Sequence, residues 1–243
     1  MNNLNKTYYI FDVDGTLTKP RQKADNRFVK KFISWSAGKN LVLATGSDFS
    51  KVREQIPQNM LSLFELVFCC MANELRDSSG ELMRTNHFKP EKELIQDLKN
   101  FLIKSKYNTK TGNHIEHRTG MINFSVVGRD ASDLERRLYN LWDKKYKERQ
   151  KIADFLRNKY PELNVSIGGS ISIDISPMGF DKSQVVEYLV QNKDVEEIAF
   201  FGDKTDPGGN DYGLITSLDR YNIESFRWHK VNGPKHLSEL LNL

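Results

Sequence analysis

Short apolar runs alternate with amphipathic helical segments at both ends of the chain, and this alternation restricts the fold before any motif is considered. Residues 7–13 (TYYIFDV) are rich in aromatic and β-branched side chains, which suits a strand buried on both faces. Residues 26–37 carry Phe28, Val29, Phe32, Ile33 and Trp35 at helical spacing, with Gly38 as a suitable C-cap. Residues 41–44 (LVLA) form a second buried run, residues 49–56 a second helix and residues 64–70 a third strand. From Asp181 the pattern resumes with a helix (DKSQVVEYLV), a strand (EEIAFFG) and a final strand and helix. Strands alternating with helices require parallel βαβ units. The middle of the chain reads differently. A turn at Asp77-Ser78-Ser79-Gly80 joins two extended pieces, and a helix follows Pro90. Residues 114–127 and 164–176 read as strands with turns, flanking one long helical region over residues 132–160. The expected architecture is an α/β core (residues 1–81 and 180–243) interrupted by an inserted α+β domain (residues 82–179).

A chain of 243 residues accommodates one large domain or two small ones. Its 38% hydrophobic and 28% charged residues describe a packed protein, not a disordered one. The formal net charge of +4 permits an anionic small partner. No basic stripe accompanies a nucleic-acid-binding module, so a nucleic-acid partner is not expected. Cys69 and Cys70 are the only cysteines, and adjacent cysteines build no disulfide framework. The N-terminus, MNNLNKTYYIF, lacks the basic-then-apolar pattern of a leader, and no apolar stretch approaches a membrane span. A soluble protein of a reducing compartment, the cytoplasm, is expected.

Carboxylates stand where the strands end. Asp12-Val13-Asp14-Gly15-Thr16 follows the first strand directly, and FFGDKTDPGGND runs from an apolar strand into Asp203, with Asn210 and Asp211 after a Pro-Gly-Gly turn. In parallel sheets, ligands bind beyond the carboxyl ends of the strands. Two such ends converging would offer the oxygen donors that Mg²⁺ takes together with a phosphate. A third strand end carries Thr45 and Ser47, whose hydroxyls can donate to phosphate oxygens, and Lys182 opens a later helix. An aspartate nucleophile, a second aspartate, a hydroxyl, a lysine and a metal together make a phosphoryl-transfer set.

FDVDGT, ATGS, Asp181-Lys182 and GDKTDPGGND, in that order, resemble the four motifs of the haloacid dehalogenase superfamily of phosphotransferases. The resemblance implies a Rossmannoid parallel-sheet core and makes the insert a substrate-selecting cap. It implies Asp12 as nucleophile and Asp14 as general acid/base. It gives Mg²⁺ to Asp12, the Asp14 backbone carbonyl and Asp203, with Asn210 and Asp211 behind them.

A finer resemblance covers nearly the whole chain. DVDGTLTKPRQK, GSDFSKVREQ, HRTGMINFSVVGR, SIGGSISIDISPMGFDK and FFGDKTDPGGND are similar to the eukaryotic-type phosphomannomutase family. That family interconverts mannose 6-phosphate and mannose 1-phosphate through a phospho-aspartate and a hexose 1,6-bisphosphate, with mannose or glucose 1,6-bisphosphate as activator. The resemblance implies that Arg21, Arg118, Arg129, Arg136, Ser172 and Asp174 contact the sugar phosphate, and that the cap mediates a homodimer. Arg137 has no such counterpart and reads as a surface residue. Read alone, the four arginines of residues 117–137 would be a solvated basic face. Beside a phosphoryl-transfer site, guanidinium forks are better read as a grip on a second phosphate. Local pattern agrees with that grip. Ser132 and Glu135 form a capping box that sets Arg136 in a first helical turn. Gly168-Gly169 permits close backbone approach, and Ser172 and Asp174 share one face of a strand. Two departures stand out. Cys70-Met71-Ala72-Asn73-Glu74 replaces the family's Pro-Glu-Asn-Gly run, and residues 215–218 lack an acidic residue where the family binds a further cation. A Mg²⁺-dependent sugar-phosphate phosphatase is the alternative activity. A non-catalytic phosphosugar-binding protein is a third reading, against which intact Asp12, Asp14, Lys182 and Asp203 argue.

Overall fold

The structure, a computed structural model, describes residues 6–221 and 225–243. Residues 1–5, where no leader is expected, lie outside the described residues. The strands are β1 (Thr7–Phe11), β2 (Asn40–Ala44), β3 (Phe64–Cys69), β4 (Glu74–Asp77), β5 (Leu82–Thr85), β6 (Ile115–Arg118), β7 (Met121–Phe124), β8 (Leu163–Gly168), β9 (Ser172–Pro177), β10 (Glu197–Gly202) and β11 (Ser225–Lys230). The helices are α1 (Asn26–Trp35), α2 (Phe49–Gln55), α3 (Gln58–Leu61), α4 (Lys92–Lys104), α5 (Asp133–Tyr146), α6 (Glu148–Lys159), α7 (Ser183–Asn192), α8 (Tyr212–Ser217) and α9 (Gly233–Leu240). They form two compact units, Met1–Thr85 with Asp181–Leu243, and Asn86–Phe180.

In the first unit one sheet runs β11-β10-β1-β2-β3-β4-β5. The five strands from β11 to β3 are parallel, while β4 and β5 form an antiparallel edge. Alternation along β1 sends Phe11 to one face and Tyr8 and Ile10 to the other. Phe11 stacks on Phe201 with ring centroids 4.9 Å apart and meets Phe32 of α1 edge-on at 5.3 Å. Asp25 caps α1 by accepting from the Arg27 and Phe28 amides. The Asp77 turn closes the β4–β5 hairpin, the Asp77 carboxylate accepting from the Ser79 and Glu81 amides. Because Leu82–Thr85 pairs with β4, the insert begins at residue 86 and not at 82.

The second unit is an antiparallel sheet of order β6-β7-β9-β8. One face supplies Ile122, Phe124, Ile173, Ile175 and Val165 to a core shared with Leu94, Leu98, Tyr139, Ile152 and Leu156 of the helices. The other face carries a register row Glu116, Asn123, Asp174, Ser166, one residue from each strand. The single helix expected over residues 132–160 is two helices, which meet at Lys147 in the left-handed region (φ 55°). No glycine or proline marks the break. It is held by the Asp143 carboxylate, which accepts from the Arg149 amide at 2.8 Å and from Arg149 Nε at 2.9 Å, both residues being buried. Arg149 Nη1 also reaches the Gly169 carbonyl at 3.2 Å, tying the break to the β8–β9 turn. Among the described residues no helix is long and apolar enough to cross a membrane.

Removing one partner of a buried ion pair leaves an unpaired charge, at about 3–5 kcal/mol. Asp143→Ala is therefore expected to raise amide hydrogen exchange along α6 strongly, and adding Arg149→Met should restore most of the protection. Wild-type exchange in the single variant would contradict the ion pair's role at the break.

Candidate active site

The ladder between β1 and β10 continues one residue past β1, where the Asp12 amide donates to the Phe201 carbonyl at 2.9 Å. This fixes the Asp12 backbone beside the end of β10 and its successor Asp203. Lys182 precedes the first turn of α7, whose Val185, Val186 and Leu189 are packed into the core. The Lys182 ammonium is fully buried and donates to Asp12 Oδ1 and to Asp211 Oδ1, each at 2.6 Å. Asp211 Oδ2 accepts from the Lys204 amide at 3.0 Å, so both of its oxygens are engaged.

Asp12, Asp203 and Asp211 each place a carboxylate oxygen within 4.8 Å of the others. Three carboxylates thus crowd one buried ammonium. Burial, with the Asp211 and Asp203 charges added, pushes the Asp12 carboxyl up despite Lys182, and burial likewise raises that of Asp203. Burial opposes the charge on Lys182, but Asp12 and Asp211 outweigh it and hold the ammonium protonated. The excess negative charge and the oxygen-only donor set fit a hard divalent cation. Asn210 Oδ1, on the loop between Asp203 and Asp211, is buried without a hydrogen-bond partner, a further acceptor of the same kind. Gly15 is required here. Its φ is +87°, and a Cβ would come within 2.5 Å of Asp203 Oδ2.

The Asp14 carboxylate lies outside this acidic group. Its Oδ1 accepts from the Arg21 amide at 2.7 Å and Gln55 Nε2 at 2.8 Å, and its Oδ2 from the Ser47 hydroxyl at 3.3 Å. The structure thus brings the Ser47 and Asp14 side chains together. The Thr45 hydroxyl is buried and accepts from the Ser47 amide. Arg21 adopts a left-handed backbone (φ 61°) and meets Asp14 through its amide, while its side chain is exposed. Gln55 was not legible in the sequence as a site residue, since nothing in α2 marks one turn above another.

In the second unit, Glu116 Oε2 accepts from Arg118 Nε at 3.0 Å and Nη2 at 2.6 Å, and from Arg129 Nε at 2.9 Å. Arg129 Nη1 continues to the Ser172 hydroxyl at 2.8 Å. Burial works against the Glu116 charge, but Arg118 and Arg129 outweigh it and hold its carboxyl below the usual range. Burial, with Arg118 next to it, lowers the Arg129 pKa. Arg136 follows the Ser132–Glu135 capping box but turns back, its guanidinium donating to the Ala131 and Arg129 carbonyls. It buttresses the Arg129 backbone. Asp174 pairs with the Asn123 amide, and its carboxyl is raised by burial. Gly168 makes room for it, since a Cβ there would lie 2.1 Å from Asp174 Oδ2. Glu116 and Asn123 escaped sequence reading, although Glu116 stands two residues before Arg118 and hence on the same strand face.

A parallel sheet with carboxylates beyond β1 and β10 and a lysine at the head of α7 is a haloacid dehalogenase-like fold. A haloacid dehalogenase-like hydrolase from Bacteroides thetaiotaomicron shares this fold at TM-score 0.62 and 14% identity, over 98% of this chain and 99% of its own. The C-terminal domain of Candida albicans trehalose-6-phosphate phosphatase also does, at TM-score 0.62 and 16% identity over 98% and 91% of the two chains. The family described as eukaryotic phosphomannomutase matches residues 29–241. A probable phosphomannomutase from Caenorhabditis elegans is 36% identical over 97% of this chain and 96% of its own length. A phosphomannomutase from Dendrobium officinale is 36% identical over 96% and 92%. The chain belongs to the eukaryotic phosphomannomutase family.

Replacing the lysine while keeping its bulk tests the electrostatic account. Lys182→Met leaves buried carboxylates facing one another and is expected to destabilise the first unit by about 3–5 kcal/mol, read in urea unfolding. The double variant Lys182→Met with Asp211→Asn should recover part of that loss. An unchanged midpoint in the single variant would refute the pairing.

Proposed function

We propose that the protein is a phosphomannomutase, interconverting mannose 6-phosphate and mannose 1-phosphate. One observation carries this reading beyond family membership: the second unit holds a preorganised guanidinium pair, Arg118 and Arg129, with the Ser172 hydroxyl beside it. A phosphatase needs one strong phosphate site, whereas a mutase must also hold the phosphate that is not reacting.

In the proposed reaction, phospho-Asp12 transfers its phosphoryl group to O6 of mannose 1-phosphate. The P–O bond to Asp12 breaks, a P–O bond to O6 forms, and Asp14 takes the O6 proton. The 1,6-bisphosphate then turns around, and its 1-phosphoryl group moves to Asp12 while Asp14 returns the proton to O1. Mannose 6-phosphate leaves and phospho-Asp12 is regenerated. Mannose or glucose 1,6-bisphosphate supplies the first phosphoryl group. Asp12, Asp203 and the Asp14 carbonyl would hold Mg²⁺, with Asn210 and Asp211 supporting them. When bound it supplies Lewis-acid neutralisation of the transferring group. Lys182 adds a fixed positive charge to Asp12, and the Thr45 and Ser47 hydroxyls orient phosphate oxygens. Arg118, Arg129 and Ser172 grip the distal phosphate, Arg136 holds the Arg129 segment in place, and Asp174 accepts from sugar hydroxyls. Arg21 contributes a further cation. A second copy of the chain is the proposed partner of α5, where Leu134, Leu138 and Leu141 stand exposed at helical spacing. Cys69 and Cys70 are buried and adjacent in the chain, where a mutual crosslink is unfavourable, which supports the proposed cytoplasmic setting.

The deciding experiment incubates mannose 1-phosphate with Mg²⁺ and a trace of glucose 1,6-bisphosphate and follows both products. Mannose 6-phosphate should accumulate, and excess EDTA should stop it. Release of only free mannose and inorganic phosphate would establish the phosphatase instead.

Arg129→Ala separates the two phosphate sites. Each charge-assisted bond it removes is worth about 1.5–3 kcal/mol, so kcat/KM for mutase turnover should fall by roughly 10- to 100-fold. Hydrolysis of a small aryl phosphate should stay near the wild-type rate. Equal loss of both activities would remove Arg129 from the distal grip.

A further inference from the structure

Directly after β3, three consecutive non-glycine residues adopt left-handed backbone: Cys70 (φ 51°), Met71 (φ 60°) and Ala72 (φ 66°). Single residues visit this region at a cost, and a run of three persists only where the surroundings impose it. The surroundings here are the site itself. The Cys70 amide donates to the Ser47 carbonyl at 2.9 Å and the Met71 amide to the Thr45 carbonyl at 3.0 Å. A Cβ on Gly46 would lie 3.3 Å from Met71 Sδ, so the thioether covers the residue between the two hydroxyl-bearing ones. The turn thus grips the whole Thr45–Ser47 segment by its backbone.

Asn73 closes the turn from below. It is fully buried, its amide donates to the Cys70 carbonyl at 3.1 Å, and its side-chain Nδ2 donates to the same carbonyl at 2.9 Å. Its Oδ1 accepts from Gln184 Nε2 at 3.1 Å, two residues along from Lys182. A continuous hydrogen-bonded path therefore runs from the head of α7 through Gln184 and Asn73 to the turn, and on to the carbonyls of Thr45 and Ser47.

We infer that Asn73 is a positioning residue for phosphoryl transfer: it locks the left-handed Cys70–Ala72 turn, whose amides fix the Thr45 and Ser47 hydroxyls relative to Lys182 and Asp12. The inference rests on the phosphoryl-transfer reading of this site, and not on whether the activity is mutase or phosphatase. It has a specific consequence. If Asn73 acts by holding left-handed backbone, a residue that favours that backbone should replace part of its effect. Glycine at position 72 is that residue.

Asn73→Ala and the double variant Asn73→Ala with Ala72→Gly would be compared with wild type by two readouts, well below their melting temperatures. The first is amide hydrogen exchange at Cys70 and Met71, which needs no activity. The second is kcat and KM for mannose 1-phosphate and for a small aryl phosphate. Asn73→Ala should lose protection at both amides and lower kcat on whichever substrate the wild type turns over, by up to about 10²-fold, the scale of a misplaced catalytic group. The double variant should regain protection and recover about five- to thirtyfold of the lost rate, the left-handed preference of glycine over alanine expressed as a rate factor. Undiminished protection in Asn73→Ala overturns the inference, as does lost protection with wild-type kcat. Failure of the glycine to restore either readout would make Asn73 a packing residue only. A wild type inactive on both substrates, with exchange behaving as expected, would overturn the functional reading and leave the lock standing as a structural one.

Discussion

Everything in the first unit is arranged around a lysine ammonium buried between two carboxylates. Burying charges is favourable only when partners and geometry are excellent, and the contacts of Lys182 with Asp12 and Asp211, each at 2.6 Å, meet that condition. Three separate parts of the chain must arrive together to make them. β1 delivers Asp12, the loop after β10 delivers Asp211, and α7 delivers the lysine. The pairing of Phe11 with Phe201 in neighbouring parallel strands sets the two acidic ends side by side. The stacked rings beneath them supply the packing that keeps this register. Precision at the site is thus inherited from the apolar sheet.

The parallel sheet also explains why the site tolerates an insertion. The chain leaves the sheet by its antiparallel edge, β4 and β5, and returns as α7 without disturbing the β10-β1-β2 centre. The inserted unit has its own core, built from one face of its sheet and the helices α4, α5 and α6. On its other face each strand gives one residue to the polar row Glu116, Asn123, Asp174, Ser166.

Sequence alone reached the parts governed by local pattern. Apolar runs located β1, β2, β3 and β10, helical spacing located α1 although its C-cap is Ser36 and not Gly38, capping chemistry located α5, and the Asp77 turn located the β4–β5 hairpin. Spacing along a strand put Ser172 and Asp174 on one face. What it could not reach depends on contacts between distant residues. The break between α5 and α6 carries no glycine or proline, because a buried Asp143–Arg149 pair imposes it. The departure of Met1–Thr85 from the expected boundary rests on strand pairing, which periodicity does not report. Nothing local in the sequence marks Glu116, whose single Oε2 accepts from three guanidinium nitrogens of Arg118 and Arg129. The segment from Cys70 to Glu74 looked like a mere departure from a family pattern, and its left-handed backbone has no signature in residues that normally avoid it.

The two units solve one electrostatic problem with opposite signs. In the first, carboxylates gather around a single ammonium, and burial raises the carboxyls of Asp12 and Asp203. In the second, guanidiniums gather around a single carboxylate, and burial lowers the pKa of Arg129 while Glu116 is held ionised. In each case one group of opposite charge fixes the geometry of its neighbours without neutralising them. Residual like charge held rigidly in a partly desolvated place is a standing attraction for a ligand of the other sign. The first arrangement calls for a cation and the second for an anion. The proposed transfer of a phosphoryl group would draw on each.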